Sequence, residues 1–204
     1  HAHMGIAGWF VLLVIGVSSR LLPMFLISKY QNPKLLWIIY ILLNTALLSF
    51  LFIFLYSSNT SLFYLPVALF FSGLVIFGRY CNLAYKNRIR KKVDDQMKIS
   101  LLSVALIFLP VLILVVILLF FIFSENAHMN LIIAYGFTLF FGWLTAIILG
   151  MTFKTLPFII WNKKYHALAG KTKTPSPKDL FSEKVFSIMN LCYLAGFILF
   201  CSGI

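Results

Sequence analysis

Long apolar runs separated by short polar links dominate this chain. Six runs can be read, from about Met4 to Ile27, Leu35 to Tyr56, Leu62 to Tyr80, Ile99 to Phe123, Leu131 to Ile160, and Val185 to the end. Each is about 20 residues or longer, the length a helix needs to cross a hydrocarbon core of roughly 30 Å. None alternates with a two-residue period, so the pattern rejects a membrane β-barrel and predicts helices, which satisfy their own backbone hydrogen bonds in lipid. The fifth run is long enough to tilt or to continue past the bilayer. Pro66 and Pro110 fall inside runs, and Pro110 predicts a kink in the fourth helix. The predicted fold is all-α, a polytopic transmembrane bundle forming a single domain over residues 1–204.

Composition agrees with this reading. Hydrophobic residues make up 62% of the chain and charged residues only 11%, where a soluble domain carries about 25% charged residues. The mean hydropathy is +0.99, so the solvent for most side chains is lipid.

Charge then orients the helices. The net charge is +12. The links after the second and fourth runs, Ser57 to Thr60 and Glu125 to His128, hold no Lys or Arg. The other links hold Lys29 and Lys34, then Lys86 to Lys98, then Lys163 to Lys184. All the bases therefore fall on one side, which predicts that side as cytoplasmic and the N-terminal end as outside. Bases split among membrane links bind acidic headgroups and form no aromatic-flanked patch, which excludes a nucleic-acid partner. The three cysteines, Cys81, Cys192 and Cys201, form no CxxC or CxxCH motif and read as packing residues. Walker-type loops, HExxH, GxSxG and carboxylates within the runs are all missing, which weighs against an ion-coupled transporter or pump.

The first and fifth runs share the pattern G-W-x6-G-x3-[R/K]-x-L-P. Gly8, Trp9, Gly16, Arg20, Leu22 and Pro23 recur as Gly142, Trp143, Gly150, Lys154, Leu156 and Pro157 at a constant offset of 134 positions. Both runs cross in the same direction, so the pattern predicts a parallel repeat of four spans, with units of about 1–130 and 131–204, the second incomplete. Its glycines allow close helix approach, its basic residue is expected to snorkel to the inner headgroups, and its proline ends or bends the helix. The sequence reads as a piece of a longer polypeptide.

His1 and His3 occupy the outer start of the first run. Residues two apart on a helix point about 200° apart, so they cannot share one ion, but each could serve a cofactor on its own side. Neutral imidazole is an axial ligand of heme iron. The segment His1-Ala2-His3-Met4 also reads as a cloning remnant, or as two interfacial imidazoles without a ligand. His128, near Glu125 in an outer link, reads as an exposed loop residue or as a further ligand or proton group, and His166, in a Lys-rich inner stretch, reads as solvated.

A His-x-His pair at the outer end of a descending helix, a mid-helix glycine, and an apolar turn with a proline near the inner end resemble the tenth helix of heme-copper oxidase catalytic subunits. The sequence is also similar to bacterial membrane proteins distantly related to these oxidases, including heme-binding nitric-oxide-response proteins. The resemblance implies that His1 ligates a high-spin heme and His3 a low-spin heme. It implies heme as cofactor, a diatomic gas and an electron-donor protein as partners, and electron transfer or response to oxygen or nitric oxide as function. The alternative is a non-heme structural or transport protein whose repeat serves packing alone. Several features depart from the family. Tyr135 and Phe137 stand where the second copy would carry imidazoles, and no His-x3-Tyr or His-His pair is present for a copper site. Oxygen reduction by this chain alone is therefore not expected.

Overall fold

A computed structural model describes residues 4–57, 59–89, 93–123, 129–166 and 174–203. It contains six helices long and apolar enough to cross a bilayer: α1 (Met4–Leu26), α2 (Pro33–Tyr56), α3 (Ser61–Lys86), α4 (Asp95–Phe121), α5 (Met129–Tyr165) and α6 (Glu183–Gly203). They coincide with the six apolar runs, and the all-α membrane bundle is the observed fold. No strand occurs among the described residues; an isolated bridge pairs Ser28 with Arg88. With the hydrogen bond from Ile89 N to Ile27 O (3.1 Å), that bridge joins the first and third links at one end of the bundle, the basic end.

The helix boundaries follow local chemistry. Asn32 caps α2 by accepting from Leu35 N (3.1 Å), and Pro33 takes the first helical position, where a missing N–H costs nothing. α4 is interrupted at Ile107, between Asp95–Leu106 and Phe108–Phe123. This is the expected effect of Pro110, whose ring crowds the carbonyl four residues back, that of Leu106. Pro66 causes no break because it lies in the first turn of the α-helical stretch Tyr64–Lys86.

α1 ends in a Schellman turn, in which Ser28 N donates to Pro23 O (2.8 Å) and Ile27 N to Met24 O (3.3 Å). The turn needs a left-handed residue, and Ile27 supplies it at φ 50° and ψ 51°. A β-branched side chain there costs about 1–2 kcal/mol. Ile27→Gly should therefore raise stability by about 0.5–1 kcal/mol, after subtracting glycine's greater loss of chain entropy. A thermal melt in mild detergent should show the rise, and a fall would refute this account of the turn.

Two stretches are π-helical, Met4–Val11 in α1 and Thr138–Leu144 in α5. In the second, the Thr145 hydroxyl donates to Phe140 O five residues back (3.0 Å), matching the wider turn. π-helical turns are costly and occur frequently at functional sites.

In lipid no hydrophobic force drives helices together, so close packing and polar contacts must do so. α4 and α5 cross where Gly150 meets the buried Ser100, with Ala146 and Ser103 also buried. A Cβ on Gly150 would lie 2.9 Å from Ser100 N and 3.1 Å from Gln96 O. The two serine hydroxyls donate within their own helix, to Gln96 O (3.3 Å) and Ser100 O (2.7 Å), so no polar hydrogen is stranded. Tyr80 of α3 donates to Ser19 O of α1 (3.0 Å). α6 is the least enclosed helix and is held by Tyr193 donating to Gly142 O (2.6 Å) and by ring contacts to α5. Large apolar side chains such as Leu48 and Phe52 point outward, as a lipid environment requires.

Candidate functional sites at the two ends

His1, His3 and His128 lie outside the described residues. His166 caps the last turn of α5, exposed at the basic end. The positions in register with His1 and His3 are described. Tyr135 borders a cavity, and Phe137 stacks on Phe200 with ring centroids 3.6 Å apart and on Phe141 at 5.0 Å. Phe137, 134 positions after His3, thus belongs to an aromatic stack that ties α5 to α6.

That cavity lies in the half of the bundle away from the basic end. The first turns of α1 line it with Ile6, Ala7 and Val11; Phe63 and Pro66 of α3, and Tyr135 and Trp143 of α5, close other sides. Its walls are almost wholly apolar. Trp143 packs edge-on against Phe10 at 5.6 Å, fixing the cavity floor. Its volume is about 210 Å³, below the roughly 300–1,000 Å³ of sites for drug-sized molecules. It admits a diatomic molecule or a stretch of acyl chain, and a whole porphyrin does not fit inside. Gly5, on the outermost described turn of α1, has no described neighbour within 4 Å of a Cβ position. Among the described residues no three His, Cys, Asp or Glu side chains gather into a metal-binding group.

The second site is a vestibule of about 1,310 Å³ at the basic end, between α4, α5 and α6. Asp94, Asp95, Lys98 and Glu183 lie at its charged rim, and Phe153 and Phe186 are among its aromatic walls. Asn190 lies farther along α6, and its Oδ1 is buried without a hydrogen-bond partner among the described residues. Lys154 of α5 forms an ion pair with Asp94, each side chain about 21% exposed, and its ammonium also sits 5.4 Å from the Phe25 ring centroid. This corrects the expectation that Lys154 snorkels to headgroups, because a protein carboxylate neutralises it instead. Its register counterpart Arg20 is exposed and makes no ion pair or hydrogen bond among the described residues. Sequence reasoning missed the vestibule and Asn190; the only signal was the clustering of acids at one end.

Comparison with protein-family models, with characterised proteins and with solved structures finds no match to this chain.

Proposed function

We propose that this chain is a heme-binding integral membrane protein related to heme-copper oxidase catalytic subunits, acting in electron transfer or in response to oxygen or nitric oxide. The observation that carries the reading is the His1-x-His3 pair set ahead of α1, whose first described turns are π-helical. His1 and His3 would hold the group, with iron supplying one-electron transfer and reversible binding of a diatomic gas. The apolar cavity beside α1 suits a gas by size and polarity and does not itself house the porphyrin. In this reading the basic links face the cytoplasm of a bacterial cell and the histidines face outward. The test is heme content per polypeptide, measured as the pyridine complex, in the purified full-length protein and in His1→Ala, His3→Ala and the double variant. Stoichiometric heme that falls with each substitution is expected. Heme content unchanged in the double variant would remove both histidines as ligands. The alternative, a non-heme structural or transport protein, draws on the vestibule with its orphan Asn190 acceptor, and would show no heme in any variant.

A further inference from the structure

A polar group at the centre of a bilayer needs a hydrogen-bond partner from protein, because neither lipid tails nor water supply one there. α2 carries three small polar side chains near its middle, and they fare differently. The Thr45 hydroxyl donates to Ile41 O (2.7 Å) and the Ser49 hydroxyl to Ala46 O (2.9 Å), so their own helix satisfies both. Asn44 is only partly satisfied. Its carboxamide offers two N–H and an acceptor oxygen. One N–H donates to Tyr40 O (2.8 Å), while Oδ1 and the second N–H have no partner among the described residues. Asn44 stands at the midpoint of Pro33–Tyr56, the greatest depth that helix reaches. It lies on the outward side, three residues after Ile41 and four before Leu48, which are 56% and 68% exposed. This separates α2 from the rest of the lipid-facing surface. Among the described residues, the other carboxamides of the spans lie toward helix ends (Asn82, Asn130 and Asn162) or line the vestibule (Gln96 and Asn190).

We propose that two copies of this chain associate through α2, with Asn44 hydrogen-bonded to Asn44 of the partner subunit at the bilayer midplane. Spacing supplies the first argument. Trp37, Ile41, Asn44, Leu48, Leu51 and Leu55 follow one another at intervals of four, three, four, three and four. That is the seam of a left-handed helix pair crossing at about 20°. Its five apolar members are all exposed, so none of the described helices covers it. Symmetry supplies the second. Two copies inserted in one membrane run in the same direction, and a two-fold axis along the membrane normal sets each seam residue against itself at one depth. A carboxamide is its own complement. The free N–H of each Asn44 donates to the Oδ1 of the other, which satisfies both, whereas an acyl chain offers neither group. Charge supplies the third. α2 has no charged residue between Trp37 and Leu55, so self-contact brings no like charges together in hydrocarbon. Lys34, at the basic start of the helix, reaches the headgroups instead. The inference does not rest on heme and holds for either reading of the function.

The experiment uses two differently tagged copies of the full-length polypeptide in their native membrane. Benzoylphenylalanine replaces Phe52, which flanks the seam, or Phe140 on α5 as a control; these residues are 67% and 54% exposed. Irradiation is expected to give at Phe52 a product carrying both tags, its link placed on α2 by peptide mass spectrometry, and no such product at Phe140. Asn44→Leu removes the polar group from an outward-facing position and should lower the two-tag yield at least five-fold. Asn44→Gln keeps a carboxamide and should retain most of it. If a variant does not accumulate, Tyr40 takes the place of Phe52, and Asn44→Ala that of Asn44→Leu. Lipid adducts alone at Phe52, a link within one copy or to a different polypeptide, an equal two-tag yield at Phe140, or a yield indifferent to Asn44→Leu would each overturn the proposal.

Discussion

Gly150→Ala is expected to loosen the bundle more than any other single-methyl change among the described residues. The added Cβ would meet the backbone of α4, 2.9 Å from Ser100 N and 3.1 Å from Gln96 O, in addition to the Ser100 hydroxyl. A side chain can rotate away, but helix backbone cannot without moving the whole segment. Overpacking of this kind costs about 1–3 kcal/mol, and each kcal/mol lowers the melting temperature by about 2–4 °C in a chain of this size. Gly136→Ala is the control, since nothing lies within 4 Å of its Cβ position and alanine favours the helix. Its melting temperature should hold or rise slightly. Equal effects at the two glycines would show that the α4–α5 crossing is not the tight contact described.

The second large effect concerns the ion pair that joins the start of α4 to α5. Lys154→Met removes one cationic partner of the Asp94 carboxylate, at a site where both groups are about 21% exposed. Breaking a fully buried pair costs about 3–5 kcal/mol, and an exposed pair contributes about 0–1 kcal/mol. An intermediate loss of about 1–3 kcal/mol is expected. Asp94→Asn in the Lys154→Met background should cost less than the same change alone, because the charge that needed neutralising is gone. Lys98→Met serves as comparison. Its pair with Asp95 is 2.6 Å long, but the side chains are 64% and 71% exposed, so its removal should be nearly silent. Additive effects in the Asp94/Lys154 cycle would mean that the two groups do not interact in the membrane.

The fold was legible because lipid imposes a simple rule. A segment must be long and apolar to cross, and composition alone marks the six segments that do. Pro110 marked the break in α4 equally well, since its chemistry acts on neighbours in sequence. What escaped reading were contacts made at a distance. Asp94 and Lys154 are 60 positions apart, and a lysine near a helix end has an equally good solution in the headgroups. The left-handed turn at Ile27 carried no signal, because glycine is the residue that announces such a turn. The π-helical turns gave no composition cue. Of the candidate site, the sequence supplied the two histidines. The cavity and the aromatic stack at Phe137 required the packed helices.

The central functional claim is that iron porphyrin binds at the outer start of α1. It is tested most directly by the reduced-minus-oxidised visible spectrum of membranes carrying the full-length protein, recorded beside His3→Ala at matched expression. The account predicts a Soret band with sharp reduced α and β bands in the unmodified protein and loss of those sharp bands in His3→Ala. A spectrum without heme bands from folded protein supplied with heme, or bands identical in the variant, would contradict it.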